Sequence, residues 1–342
     1  MYEVVKRVFR SRRIHILILL SLLLITIPTS LSVGVYQITI IDVLSMISGN
    51  SCGDLNEVVM LRLRRALTSI FIGALLACGG VAMQAVLRNP MASPFTLGIA
   101  NAAALGVAIA LITGVGGTVS RWVLTYYNPY IIPLFAFLFA FIQVLMVLML
   151  AYRAGLSERA LILAAIAMSF YYQAILYLIQ YLILNELQVS IVVFWTFGDV
   201  GRVGWVELWL ILAVSVALAL YYVFRSSDLD LISLSDDVTA ASGVDPKKLR
   251  FEVSLITALG VSVATSFAGV IAFLCLISPH IARLLVGSAS RYLLPASMLV
   301  GSTLLLAADC IGRAVISPVI LPVGITISII GSPLLLYLLL RR

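Results

Sequence analysis

The chain has 342 residues, of which 62% are apolar and 11% charged, with a formal net charge of +7. A water-soluble globule of this composition would lack the polar surface needed to stay dispersed, so the solvent of this chain is lipid. A bilayer-crossing helix takes about 20 apolar residues, which leaves room for roughly ten crossings and no sizeable soluble domain.

The basic excess would suggest nucleic acid in a soluble protein; here it sets orientation, because cytoplasmic loops are enriched in Lys and Arg. Residues 1–13 carry Lys6, Arg7, Arg10, Arg12 and Arg13 ahead of an apolar run over 14–35. That places the tail in the cytoplasm, and the lack of a clear small-residue cleavage site makes the run a retained first helix rather than a signal peptide. Further crossings are predicted over 63–87, 97–115, 131–152, 160–184, 207–225, 251–268, 270–286, 293–314 and 324–340. Ten crossings return Arg341 and Arg342 to the cytoplasm. The seventh and eighth are separated only by small residues around Ala268 and Gly269, and fusing them would reverse the last two. The organisation read is a single all-α transmembrane domain over 1–342, with a cytoplasmic tail 1–13 and a hydrophilic inner segment 226–250.

Cys52, Cys78, Cys275 and Cys310 are scattered with no C-x-x-C pair, and His15 and His280 lie far apart, so the sequence indicates no metal site, disulfide framework or catalytic group. No G-x-x-x-x-G-K-[ST] phosphate loop occurs, so nucleotide hydrolysis by that route needs another chain, and no cofactor is expected on this one.

Four features carry functional readings. Arg62, Arg64 and Arg65 at the start of the second span and Arg313 at the end of the ninth put positive charge on the predicted outer side, against the usual bias. Docking of an acidic partner and anchoring to lipid headgroups both fit. In the fifth span, Gln173, Tyr177, Gln180 and Tyr181 recur at three and four residues, within a stripe that also holds Ser169, Tyr171 and Tyr172. Polar groups in lipid turn inward, toward either a water-filled pathway or an interhelical hydrogen-bond seam. In the inner segment, Ser233 or Ser235 can cap a short helix with Asp236 and Asp237 in its first turn, stopped by Gly243 and Pro246. Such a helix is marginal alone and needs something to pack on; an ordinary solvated loop also fits. Finally, Asp309 is the one acid deep in a predicted span, placed to pair with Arg313 at i,i+4.

Several segments resemble one family, the FecCD-type permease subunits of binding-protein-dependent ABC importers for cobalamin, haem and iron-siderophores. They are Leu61-Arg62-Leu63-Arg64-Arg65, Met83-Gln84, Arg88-Asn89-Pro90-Met91-Ala92-Ser93-Pro94, Leu97-Gly98, Ser278-Pro279-His280-Ile281-Ala282-Arg283-Leu284, Leu293-Leu294-Pro295, Ala308-Asp309, Leu321-Pro322-Val323-Gly324 and Gly331-Ser332-Pro333. They occur in family order over most of the chain.

The resemblance implies ten helices per subunit, a homodimer, two ATP-binding subunits on the cytoplasmic side and a substrate-binding protein outside. It implies that Arg62, Arg65 and Arg313 receive acidic residues of the binding protein. Asn89 and Met91 match a cytoplasmic gate, with Ser157 and Glu158 as its second layer. Leu234, Ser235, Asp236, Asp237, Ala241, Gly243 and Val244 match the segment that couples to the ATPase, although Ser235 and Ser242 replace the Gly and Leu usual there. Gln173, Tyr177 and Gln180 are expected to line the translocation pathway. The expected function is therefore import of a metal chelate across the cell membrane, driven by ATP bound to a partner. An ion-coupled secondary transporter that depends on Asp309 is the alternative.

Overall fold

The computed structural model describes residues 2–34, 36, 55–115, 117–120, 123–126 and 128–340; Cys52, Arg341 and Arg342 lie outside these. The described helices are α1 (Tyr2–Ser32), α2 (Leu55–Val86), α3 (Ile99–Ile112), α4 (Ile131–Arg153), α5 (Glu158–Leu182), α6 (Glu186–Thr196), α7 (Trp205–Phe224), α8 (Ser226–Leu234), α9 (Asp236–Ala241), α10 (Pro246–Ala268), α11 (Leu274–Val286), α12 (Ser290–Ala314) and α13 (Val323–Leu340). One antiparallel hairpin, Gly117–Ser120 with Val123–Tyr126, joins α3 to α4.

Among the described residues, α1, α2, α4, α5, α7, α10 and α12 are long and apolar enough to cross a membrane, and α3, α6, α11 and α13 are shorter apolar helices. The ten expected spans correspond to α1–α5, α7 and α10–α13. The sequence reading missed α6, because eleven residues are too few to register as a crossing. Its start is nonetheless encoded: Asn185 and Gln188 form a reciprocal capping box. The expected seventh and eighth spans are separate helices, since α10 stops at Gly269 with φ +76° and α11 begins at Leu274.

The chain forms two compact units, each assembled from non-contiguous segments: residues 1–81, 199–223 and 272–342 make one, and 82–198 with 224–271 the other. In the first, Leu23 of α1, Ala66 of α2 and Leu306 of α12 meet in a core flanked by Ile27, Ile70 and Leu299. Lipid offers helices no hydrophobic reason to associate, so close backbone approach and hydroxyl-to-carbonyl bonds hold them. Ser302 Oγ donates to Ile70 O at 2.7 Å and Ser215 Oγ to Phe71 O at 3.0 Å. Gly73 and Gly301 face each other where α2 crosses α12, and a Cβ on either would sit on the other's backbone. Gly301→Leu is therefore expected to cost about 1–3 kcal/mol through overpacking, read as earlier unfolding on titration with denaturing detergent.

In the second unit α3 is the hub. Its Ala-rich sequence lets α4, α5, α6 and α10 pack around it, and most of its side chains are fully buried. At about 1.5 Å per residue its 14 residues reach about 21 Å, short of a full hydrocarbon core of about 30 Å. Gly106 makes the closest approach, against the Phe135 carbonyl of α4.

Candidate functional site

Three clusters of polar side chains stand out. Arg62, Arg65 and Arg313 lie in the first unit with Asp309, which is 1% exposed. Asp309 Oδ1 accepts from Arg65 Nη2 at 2.6 Å and Nε at 3.2 Å, and Oδ2 accepts from Arg313 Nε at 3.0 Å. The predicted i,i+4 pair is thus present, and Arg65 is an additional partner that spacing could not reveal. Arg65 also pairs with Asp199 at 3.1 Å, a residue absent from the sequence reading and more open to solvent. Arg62 donates to the carbonyls of Leu31 at 2.7 Å, Ser32 at 3.1 Å and Tyr36 at 2.6 Å. Arg313 donates to Val33 O at 2.6 Å and Ser30 O at 3.0 Å. Two guanidiniums therefore satisfy the free carbonyls at the C-terminal end of α1, where the helix dipole also favours cations.

The second cluster lies within the other unit. Arg250, fully buried near the start of α10, donates through Nε to Val86 O at 3.3 Å and through Nη1 to Leu156 O at 2.9 Å; its Nη2 reaches Asp236 Oδ1 at 2.7 Å and Glu158 Oε2 at 3.5 Å. Arg88, just past the end of α2, bonds Ile232 O at 2.8 Å and pairs with both Glu158, at 3.4 Å, and Asp236. Each acid is thus shared by both arginines. The expected short inner helix is α9: Ser235 caps it by accepting from Val238 N at 3.1 Å, Asp236 and Asp237 occupy its first turn, and Gly243 follows with φ +84°. Asp245 then caps α10 with Pro246 at its start. Helix α8, directly before α9, was not anticipated. Leu234 is exposed, whereas Thr239 is the buried residue of α9.

Asn89 and Met91 form a tight turn in which Asn89 Oδ1 accepts from Met91 N at 2.9 Å, leaving the Met91 side chain exposed. Ser157 caps α5 by accepting from Ala160 N at 3.2 Å, and Glu158 is its first residue. The structure thus joins Glu158 to Asp236, and to the turn that holds Asn89, through two arginines that received no role in the sequence reading. A signal existed for Arg250: it is a charge within the face Leu249, Arg250, Val253, Ser254 and Thr257, all of which are buried.

Asp236 lies outside the membrane-length helices. Burial alone would raise its pKa, but the hydrogen bond and charge of Arg250, with Arg88 beside it, hold the carboxyl below its ordinary value. A depressed carboxylate stabilises the fold above its unfolded pKa of about 3.9, and that contribution is lost as pH falls through the folded value. Intrinsic-rate-corrected amide exchange over residues 236–244 is expected to stay constant from pH 7 to about 5 and to accelerate below about 4.

The third cluster is a cavity of about 280 Å³ in the second unit, lined by Asn101, Gln173, Tyr177, Gln180 and Thr196 among apolar neighbours. Gln173 Nε2 donates to Tyr177 Oη at 2.7 Å within α5. Tyr177 and Tyr181 are exposed, whereas Tyr172 turns to the opposite face and reaches Met146 Sδ at 3.5 Å. Among the described residues that line this cavity there is no Asp, Glu, His, Lys or Arg.

Seven helices long and apolar enough to cross a membrane among the described residues, with a polar cavity within one unit, define a multi-pass membrane protein. A family model, the FecCD transport family, matches residues 22–341, and the chain belongs to that family. It is 40% identical over 95% of its length to a Methanocaldococcus jannaschii protein assigned as an ABC transporter permease, of which 93% is covered. It is 34% identical over 82% of its length to the Fe(3+) dicitrate transport system permease of Escherichia coli K12, also 82% covered. A solved inward-facing structure of an ABC transporter assigned to the metal-chelate type superposes with a TM-score of 0.82 at 28% identity, over 97% of this chain and 100% of that one. The chain is a permease of the ABC importer class.

Proposed function

We propose that this chain is the membrane-spanning subunit of a cytoplasmic-membrane importer that moves a metal chelate, an iron-siderophore, cobalamin or haem, from a binding protein into the cytoplasm. Two copies surround the pathway, two separate subunits bind and hydrolyse ATP below, and both termini of each copy are cytoplasmic. The observation that carries the reading is the α8–α9 segment: two short helices outside the apolar spans, held by ion pairs and, for α9, by the Ser235 cap, with Leu234 and Val238 exposed for a partner. The relatives named for Fe(3+) dicitrate and for metal-chelate transport support the substrate class.

In this reading Leu234, Ser235, Asp236, Asp237, Ala241, Gly243 and Val244 contact the ATPase. Asn89, Met91, Ser157 and Glu158 form the inner gate, and Gln173, Tyr177 and Gln180 face the passing chelate with neutral hydrogen-bonding groups. On the outer side Arg65 engages an acidic residue of the binding protein by exchanging it for Asp199, the more exposed of its two carboxylate partners. Arg62 and Arg313 add charge and fix the end of α1 beside it. An ion-coupled carrier finds no support at Asp309, since both of its oxygens are held by guanidiniums.

The test is co-purification with the candidate ATPase subunit, followed by reconstitution in lipid with and without the candidate binding protein. ATP hydrolysis stimulated by the loaded binding protein is the expected result. A chain that recruits no ATPase would overturn the reading.

A further inference from the structure

We propose that Arg88, Glu158, Asp236 and Arg250 form a latch that transmits displacement of α9 to the ends of α2 and α5. The proposal rests on the importer reading for what displaces α9, and on geometry for everything else. Helix α9 has six residues and buries only Thr239 among them, so apolar packing holds it weakly. Its firm ties are the Ser235 cap, which is local, and the two guanidiniums on Asp236, which are not.

Arg250 is the fixed part. It is fully buried, and its bonds to Val86 O and Leu156 O anchor it to the last residue of α2 and to the turn before α5. Asp236 is the movable part, with a side chain 40% exposed. Arg88 lies between the two sides. It holds Ile232 O of α8 and reaches both Asp236 and Glu158, and it immediately precedes Asn89.

When α9 moves, Asp236 leaves one or both guanidiniums and Glu158 is the remaining carboxylate within reach of each. The donors therefore have two discrete arrangements, one shared between two acids and one collapsed on Glu158. Coupling through an ion-pair network of this kind requires such alternative pairings. A purely static role would leave the Met91 turn indifferent to α9.

The test uses the whole importer, this chain assembled with its ATPase, carrying a nitroxide at either Ser242→Cys or Met91→Cys, both at exposed positions. Spectra are compared without nucleotide and with ATP plus vanadate. In the otherwise unaltered chain both labels are expected to shift. In Arg88→Gln the Ser242 label still shifts and basal ATP hydrolysis is unchanged, while the ATP-dependent change at Met91 falls about tenfold. Arg88→Lys, which keeps the charge, restores part of it, and Arg250→Lys, which loses the two-sided fork, reduces it as Arg88→Gln does. An unchanged Met91 response in Arg88→Gln and Arg250→Lys would overturn the latch and leave the importer reading standing. A Ser242 label that never responds in the unaltered complex would overturn the importer reading beneath it.

Discussion

Replacing Asp309 by Ala is expected to destabilise the chain by about 3–5 kcal/mol, the range for removing one partner of a buried ion pair. The substitution strands Arg313, 5% exposed, with neutral partners, the carbonyls of Ser30 and Val33, the Ser30 hydroxyl and the Cys310 sulfur, and leaves Arg65 with Asp199 as its carboxylate partner. Asp309→Asn keeps the shape and one acceptor, so it falls at the lower end of that range. The loss is read by titrating purified protein in mixed micelles with denaturing detergent, a setting that holds no ion gradient. A stable Asp309→Ala protein would show that the Arg65–Asp309–Arg313 arrangement contributes little, and would reopen the ion-coupled alternative.

Arg250→Leu is expected to cost about 3 kcal/mol. Here the acids matter less, since the side chains of Asp236 and Glu158 are 40% and 30% exposed and water can solvate them once released. The larger penalty comes from the carbonyls of Val86 and Leu156, each losing its guanidinium donor, at about 1–3 kcal/mol per buried unsatisfied group. Leu fills the volume, so the effect isolates polar satisfaction from cavity formation. Amide exchange should accelerate at the α4–α5 turn and over α9 before it accelerates in α3. Uniform acceleration would place Arg250 in the global core instead.

The two substitutions act on clusters of the same composition class, arginines sharing carboxylates, but their consequences differ with burial. Asp309 is deeply enclosed and both oxygens are used, so it behaves as part of the scaffold. Asp236 is half open and sits on a short helix with little apolar anchoring, so it can let go. That difference is why the inner cluster carries the transmission proposal and the outer one does not.

Much of this was written along the chain. Composition dictated a lipid solvent, and apolar run length placed ten helices, because a crossing must satisfy its backbone within one segment. Local chemistry likewise specified α9: a Ser cap, two acids in the first turn and a Gly stop act within a few residues of one another. The i,i+4 pair of Asp309 and Arg313 follows from helix geometry alone.

What the tertiary structure decided were relations between distant residues. Arg65 meets Asp309 across 244 positions and Arg88 meets Asp236 across 148. No periodicity encodes such pairs, because they depend on which helix ends the packing of small residues brings together. Helix α6 was hidden for a different reason: it is too short to signal a crossing, yet it packs on α3 and helps to line the polar cavity. The sequence by itself determined the solvent, the ten apolar spans and the family; only packing determined that four charges from four separate segments would close on one another beside α9.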